Sequence, residues 1–237
     1  IDDIELSAKG TSFSLTNHKT EEKITIETNL VAQFNVMNLT AALLAVSQYK
    51  NVPLSYLAQF CQSIPQIEGR MEIIDAGQDF TTIVDYAHTP DGFIQCFEYA
   101  KSITPGDNRI ICVFGSAGKR DTKKRIVLGE IADLYCDVII LTEEDPRDED
   151  VMEISNQIKA GIKEANYIII EDRISAIEQA IMIANTSDTV LILGKGDETF
   201  MDRVYERDHY EGDHKVAQAA LIERKKQKEA YDDEPIH

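Results

Sequence analysis

Basic residues are scarce in this sequence. There are 24 Lys and Arg against 42 Asp and Glu, which gives a formal net charge of −18 at pH 7. Nucleic acids and anionic membranes are bound through basic surfaces, so this balance argues against both kinds of partner. The acidic balance does not exclude an anionic small-molecule ligand, because local positive charges and backbone dipoles bind such ligands.

Cysteines are also few. The four are far apart and form no CxxC pair, and at least three lie in apolar patterns, which predicts reduced core residues in a cytoplasmic protein. No apolar run is long enough to span a bilayer and no signal peptide is visible, so we expect no membrane partner. The chain starts at Ile1 without Met, which we interpret as a fragment or a processed form. The cysteines are Cys61, Cys96, Cys112 and Cys136.

From about residue 70 onward, apolar runs alternate with segments of helical periodicity, such as Val127, Ile131 and Leu134. Near-continuously apolar strands are typical of a parallel sheet covered on both faces. The sequence therefore predicts an α/β fold: a Rossmann-like, mostly parallel sheet with helices on both faces and an antiparallel edge at 71–75. The other predicted strands are residues 80–86, 109–115, 137–142, 167–171 and 189–194.

The first part of the chain has a different pattern. Residues 11–16 and 23–30 alternate apolar and polar, with 17–20 between them, which predicts a β-hairpin. A helical pattern follows at 36–46, with Asn35 as a possible cap. These elements are too few for an independent domain, and we interpret them as the end of one.

Polar and ionisable side chains collect where the predicted strands end. Ligands of open parallel sheets bind beyond the carboxyl ends of the strands, so this edge is the predicted site. Taken singly, the glycines fit tight turns, the acids fit caps or solvated loops, and the histidine fits a structural role; their coincidence at one edge favours a site. The segments are 85–88 (DYAH), 115–121 (GSAGKRD), 143–147 (EEDPR) and 194–198 (GKGDE).

Two common nucleotide-binding fingerprints are missing. GSAGKRD at 115–121 matches neither GxGxxG nor GxxxxGK[ST], and no Walker A loop occurs anywhere in the chain. A nucleotide-dependent oxidoreductase is therefore poorly supported.

Five segments, in their order along the chain, resemble the motifs of the Mur ligase family. Within it they resemble the branch that adds the third residue of the peptidoglycan stem. Residues 30–46 resemble the close of that family's central ATPase domain. The resemblance thus implies that residues 1–66 end the central ATP-binding domain and 67–237 form the C-terminal Rossmann-like domain. The five segments are 69–75 (GRMEIID), 83–91 (IVDYAHTPD), 113–121 (VFGSAGKRD), 142–147 (TEEDPR) and 193–199 (LGKGDET).

The resemblance implies ATP-dependent amide formation in cytoplasmic peptidoglycan precursor synthesis. A carboxylate of UDP-N-acetylmuramoyl-dipeptide attacks the γ-phosphate, and the amine of a free diamino acid then attacks the acyl phosphate. Such chemistry depends on positioning and charge neutralisation, with ATP and Mg²⁺ as cofactors. The family's Walker A loop and metal ligands lie upstream of this chain, so we expect the isolated chain to be inactive. Family members are usually monomeric.

By motif, the resemblance implies a nucleotide-binding set of residues. Asn35 and Asn38 would face the adenine, Arg70 would approach the phosphates, and Asp85 would accept from the ribose hydroxyls. His88 would lie near the phosphate end, as the candidate catalytic residue.

A second set matches the family's amino-acid pocket. Paired guanidinium groups suit a carboxylate, and the Gly194 carbonyl with Glu198 suits an ammonium group. Asp145 stands where the family has Asn; it could be neutralised by Arg147 or could favour L-lysine. Because Arg147 favours the diacid, we expect meso-diaminopimelate, with L-lysine as the alternative. The set is Arg120, Glu144, Asp145, Arg147, Gly194 and Glu198.

Two other functions stay open. One is a related amide ligase, such as a folylpolyglutamate or cyanophycin synthetase, although DYAHTPD with DPR fits the muramyl-peptide branch better. The other is an inactive ligase-like paralogue, against which Arg70, Asp85, His88 and Glu198 argue. An intact Walker A loop upstream would favour the enzyme.

Overall fold

A computed structural model describes residues 1–18 and 21–232 of the chain, the last two without their side chains. It divides into two compact units, Ile1–Ile67 and a second that begins at Glu68. Within the described residues, no helix has the length and apolar character that crossing a membrane requires.

The first unit contains a three-stranded antiparallel sheet in the order β1-β2-β3. The β2–β3 pairing, with Phe13 opposite Ile26, confirms the predicted hairpin strands. The predicted turn includes Lys19 and Thr20, which lie outside the described residues. Strand β1 was not predicted. The strands are β1 (Asp2–Ser7), β2 (Gly10–Asn17) and β3 (Glu22–Thr28).

Two helices, α1 (Gln33–Lys50) and α2 (Leu54–Ala58), and a 3₁₀ turn at Cys61–Ser63 follow. Val36 and Leu39 of α1 pack with sheet residues in a small core. The expectation that Asn35 caps this helix is wrong. The helix begins two residues earlier, and the Asn35 amide lies inside it and donates to the Val31 carbonyl at 2.8 Å.

The second unit is built on a six-stranded sheet in the order β4-β5-β9-β6-β7-β8. Strand β4 runs antiparallel to β5, and all other pairs are parallel. This confirms the predicted mostly parallel α/β sheet with its antiparallel edge. The strands are β4 (Glu72–Ile73), β5 (Thr81–Asp85), β6 (Ile110–Phe114), β7 (Val138–Leu141), β8 (Asn166–Ile169) and β9 (Thr189–Leu193).

Helices cover both faces of this sheet, as the sequence predicted. On one face, α6 and α7 share a core with the strands. On the other, Phe93 of α3 packs edge-on against Phe114 of β6, with ring centroids 4.9 Å apart. The helices are α3 (Pro90–Ile103), α4 (Lys123–Tyr135), α5 (Val151–Lys159), α6 (Arg173–Ile183) and α7 (Asp213–Asp232).

The apolar periodicity of α4 predicted its buried face only in part, since Ile131 is buried as expected but the other two residues are not. Leu134 is 80% exposed and Val127 39% exposed, whereas Leu128 is fully buried. Arg125 is also fully buried, because its guanidinium donates to Glu149 at 2.7 Å. A helical-periodicity pattern that assigns every arginine to the exposed surface cannot predict a buried face that contains Arg125.

A short antiparallel hairpin, β10 (Phe200–Asp202) and β11 (Arg207–His209), lies between β9 and α7. It was not predicted, since its strands are brief and polar. Its residues nevertheless become part of the site.

Candidate active site

The loops that follow β5, β6, β7 and β9 meet the β10–β11 hairpin around one cleft of about 870 Å³. The convergence follows from the parallel sheet, because the carboxyl ends of its strands share one edge. All the predicted amino-acid-binding residues, together with His88, line this cleft. They are His88, Arg120, Glu144, Asp145, Arg147, Gly194 and Glu198.

Two glycines allow the loops to approach this closely. A Cβ at Gly118 would collide with the carbonyl oxygen of Pro146, so the loops after β6 and β7 are in backbone contact. Gly194 has a φ of +116°, which L side chains rarely adopt, and a Cβ there would collide with the Glu144 carboxylate. Gly118 is therefore required for the close approach of the two loops, and Gly194 for its backbone conformation.

A buried lysine organises the acidic side of the cleft. Lys195 Nζ donates to Asp145 Oδ1 at 2.8 Å and to Glu198 Oε2 at 2.6 Å. The cation paired with Asp145 is thus Lys195, which it shares with Glu198, and not Arg147, contrary to the possibility raised by the sequence. The Tyr86 hydroxyl donates to Glu198 Oε1 at 3.1 Å, so both oxygens of Glu198 already have donors.

The cationic side contains three arginines. Arg147 donates to the Gly118 carbonyl at 2.6 Å and to Asp202 Oδ2 at 3.3 Å. Arg207, from β11, donates through Nε to Asp202 Oδ1 at 2.7 Å. Arg120 is exposed at the cleft and forms no side-chain hydrogen bond or ion pair within the described part of the chain. Its guanidinium is therefore free to bind a ligand.

Glu144 is the acidic group left without a donor. It is buried, and its Oε2 has no hydrogen-bond partner among the described residues. Burial raises the pKa of this carboxyl, although the charges of Arg173, Lys124 and His88 oppose the shift. A buried carboxylate without a partner is costly, and an ammonium group placed against it would supply the missing bond.

We expect Glu144→Gln to be more stable than the wild type at pH 8, by about 1–2 kcal/mol. The folded state raises the Glu144 pKa, so the stability this group contributes is complete below its unfolded pKa and is lost as pH rises through its folded pKa. The stability difference between Glu144→Gln and the wild type should therefore vanish at acidic pH, below the unfolded pKa of the glutamate.

Urea unfolding at several pH values measures this difference, with the exposed Glu206→Gln as the matched control. A Glu144→Gln advantage that grew toward low pH would have the wrong sign and would refute the assignment.

His88 has a defined orientation. Its Nδ1 lies 2.9 Å from the Tyr86 carbonyl, which can only accept, so Nδ1 carries the hydrogen and donates. This leaves Nε2 as the ring atom available to a ligand. Lys124 Nζ donates to the His88 carbonyl at 2.7 Å and adds positive charge to the same part of the cleft.

Asp85 and Arg70, two of the residues expected at the nucleotide, do not line the cleft. Asp85 is buried, its oxygens accept from the backbone N–H groups of Met71 and Ala87 at 2.7 and 2.6 Å, and burial raises its pKa. Its carboxylate therefore joins β5 to the segment before β4. Each oxygen keeps a second lone pair, so the ribose contact stays a prediction. The exposed Arg70 places its guanidinium 4.4 Å over the Tyr86 ring.

Asn35 and Asn38 belong to the first unit, where they lie on one face of α1. Asn38 Nδ2 donates to Asn35 Oδ1 at 3.3 Å. Asn38 is exposed while Asn35 is buried. Their adenine contacts stay predictions.

Several cleft residues escaped sequence reasoning. Lys195 lies within GKGDE, where a lysine between two glycines directly after a buried strand was an available signal. Phe200, Asp202 and Arg207 had no such signal, because the hairpin that carries them was not predicted. The cationic Lys123 and Lys124 at the start of α4 were also missed.

The second unit is therefore an α/β domain whose cleft, at the carboxyl ends of the parallel strands, is lined by both cationic and acidic side chains. The family model described as Mur ligase, glutamate ligase domain matches residues 69–196, more than half of the chain. The chain belongs to the Mur ligase family.

Named relatives agree with this assignment. The chain is 41% identical over 209 residues to a UDP-N-acetylmuramyl-tripeptide synthetase of Treponema denticola, covering 85% of this chain and 39% of the relative. It is 36% identical over 226 residues to a UDP-N-acetylmuramoyl-L-alanyl-D-glutamate--2,6-diaminopimelate ligase of Halalkalibacterium halodurans, covering 94% and 45%. A solved structure of a ligase with that second name superposes with a TM-score of 0.68 at 32% identity, covering 95% of this chain and 45% of that one. The chain thus spans less than half the length of these relatives.

Proposed function

We propose that this chain is part of an ATP-dependent amide-bond ligase. The enzyme joins a free diamino acid to UDP-N-acetylmuramoyl-L-alanyl-D-glutamate in cytoplasmic peptidoglycan precursor synthesis. The family membership and the relatives' names support this reaction. The observation that carries the proposal is the single cleft that holds a free guanidinium, Arg120, together with an unpartnered carboxyl, Glu144.

The two sides of the cleft suit the two charges of an amino acid. Arg120 and Arg147 are placed to bind a carboxylate, since planar guanidinium groups bind it through paired N–H donors. Glu144 adds an ammonium acceptor without a donor of its own beside Glu198, whose two oxygens each already accept one hydrogen bond.

The charge of Asp145 bears on which amino acid is added. That charge was the reason to consider L-lysine, because it would repel a carboxylate. Lys195, whose Nζ lies 2.8 Å from Asp145 and also pairs with Glu198, offsets part of that repulsion. The remaining cations of the cleft favour a second carboxylate, and we propose meso-diaminopimelate as the substrate ahead of L-lysine.

We propose that residues 1–66 end a central ATP-binding domain and that residues 67–237 form the C-terminal domain. ATP supplies the phosphoryl group that activates the substrate carboxylate. The chemistry of the present residues fits a nucleotide: the Asn35 and Asn38 amides can both donate and accept, and the exposed Arg70 can bind a phosphate. Within the described ranges, no group of three or more His, Cys, Asp or Glu residues could hold a metal ion. We propose, from the family resemblance, that the Mg²⁺ ligands lie upstream of this chain.

The test is ligation by the full-length protein from which this chain comes. With ATP, UDP-N-acetylmuramoyl-L-alanyl-D-glutamate and meso-diaminopimelate, we expect release of ADP and phosphate together with the tripeptide product, detected by mass spectrometry. Reactions without ATP or without the amino acid are the controls. If no product formed with meso-diaminopimelate and none formed with L-lysine, the proposal would be wrong. Ligation onto a folate or cyanophycin primer would identify a different amide ligase.

A further inference from the structure

The β10–β11 hairpin brings into the cleft an arginine to which the family resemblance did not point. Asp202, at the end of β10, accepts from Arg207 Nε through one oxygen at 2.7 Å and from Arg147 through the other at 3.3 Å. One carboxylate therefore holds two guanidinium groups beside each other. The two guanidinium groups and the one carboxylate together leave a net positive charge on this side of the cleft.

Arg207 is oriented and yet available. Its guanidinium carbon lies 4.1 Å from the centroid of the Phe200 ring, so the planar group is held by stacking as well as by Asp202. Its side chain is 64% exposed, and its two terminal nitrogens have no hydrogen-bond partner within the described ranges. These nitrogens form the end of the fork that binds carboxylates through two parallel N–H bonds.

The other arginines of the cleft are less suited to this task. Arg147 already donates to the Gly118 carbonyl and to Asp202, which leaves fewer of its donors for a ligand. Arg120 has no side-chain partner among the described residues to orient it and must lose rotamer freedom on binding, which opposes binding. Arg207 has its rotamer largely fixed before a ligand arrives, which favours binding.

We infer that Arg207, positioned by Asp202 and Phe200, binds a carboxylate of the incoming amino acid and selects amino acids that carry a second carboxylate. This inference rests on the proposed function and deepens it by naming the residue that distinguishes a diamino diacid from L-lysine. L-lysine has only one carboxylate, so it has no group to place against this arginine once the first is bound.

The test is ATP-dependent ligation by the full-length protein carrying Arg207→Gln, with meso-diaminopimelate and L-lysine compared. Loss of a charged hydrogen-bonding partner is expected to raise the KM for meso-diaminopimelate about 10- to 100-fold. We expect kcat to change little, and kcat/KM for L-lysine to change by less than about threefold, because that ligand makes no contact with Arg207. Lys215→Gln, which removes the same charge at an exposed position of α7 outside the cleft, should match the wild type.

Two further variants separate positioning from folding. Arg207→Lys keeps the charge and loses the planar fork, so its KM should lie between those of the wild type and Arg207→Gln. Asp202→Asn weakens the charged hydrogen bond that orients Arg207. It should raise the KM for meso-diaminopimelate without lowering kcat. Thermal unfolding of each variant shows whether the hairpin remains folded, and Arg207→Lys decides the result if Arg207→Gln does not fold.

The outcomes are distinct. An unchanged KM for meso-diaminopimelate in Arg207→Gln overturns the inference while leaving the proposed function intact, and so does an equal rise for both amino acids. A wild-type enzyme that prefers L-lysine also overturns it. A wild type that ligates neither amino acid removes the proposed function itself.

Discussion

Arg173→Met is expected to destabilise the second unit by about 3–5 kcal/mol, the usual cost of breaking a buried ion pair by removing one partner. The Arg173 side chain is 1% exposed and that of Asp213 is 0% exposed. The pair is bidentate, with Nε donating to Oδ1 at 2.7 Å and the terminal nitrogen donating to Oδ2 at 2.6 Å. Removal of the arginine leaves a buried carboxylate whose remaining donor is the Tyr210 hydroxyl at 2.6 Å.

The same arginine connects the core to the cleft. It donates to the carbonyls of Glu143 and Leu193, at 3.1 and 2.9 Å, beside the residues Glu144 and Gly194 that line the site. We therefore expect a loss of amino-acid binding along with the loss of stability.

Urea unfolding of Arg173→Met measures the stability loss. The double variant Arg173→Met with Asp213→Leu should recover much of it, since replacing both ions by apolar groups removes the unpaired charge. A single variant within about 1 kcal/mol of the wild type would show that the pair does not hold this edge of the sheet.

The second large effect is expected for Lys195→Met, at about 2–3 kcal/mol. The ammonium group is buried and pairs with two carboxylates, but their side chains are 13% and 24% exposed, so water recovers part of the loss when the lysine is removed. The two acids would then repel each other beside Gly194. Binding of a ligand carboxylate should weaken, because the charge of Asp145 then has no cation paired with it.

A rescue variant tests this explanation. Lys195→Met combined with Asp145→Asn and Glu198→Gln removes the unpaired charges and should recover most of the stability measured by urea unfolding. Failure of the triple variant to recover, with Lys195→Met itself destabilised, would mean that the packing of the lysine stem matters more than its charge.

The sequence predicted the inner strands of the sheet well because they are buried on both faces. The run TVLIL at Thr189–Leu193, in the middle of the sheet, is fully apolar after its first residue, and no helical or surface pattern competes with it. Predictions failed where charge is buried, as at Arg125 in α4. They also failed where an element is short and polar, as at β10–β11.

The location of the site could be predicted for a related reason. Parallel strands must present their carboxyl ends at one edge, so the polar segments after β5, β6, β7 and β9 had to meet. The pairing of charges inside the cleft could not be predicted. Whether Asp145 meets Lys195 or Arg147 depends on loop geometry with positive φ at Asp145, Arg147 and Gly194, which no periodicity encodes.

The most direct test of the account is a crystal structure of the full-length protein with meso-diaminopimelate bound. The account predicts density for the amino acid in the cleft after β5, β6, β7 and β9, with an ammonium group against Glu144 and a carboxylate against the arginines. Density for the amino acid at another surface, with the cleft empty, would contradict it.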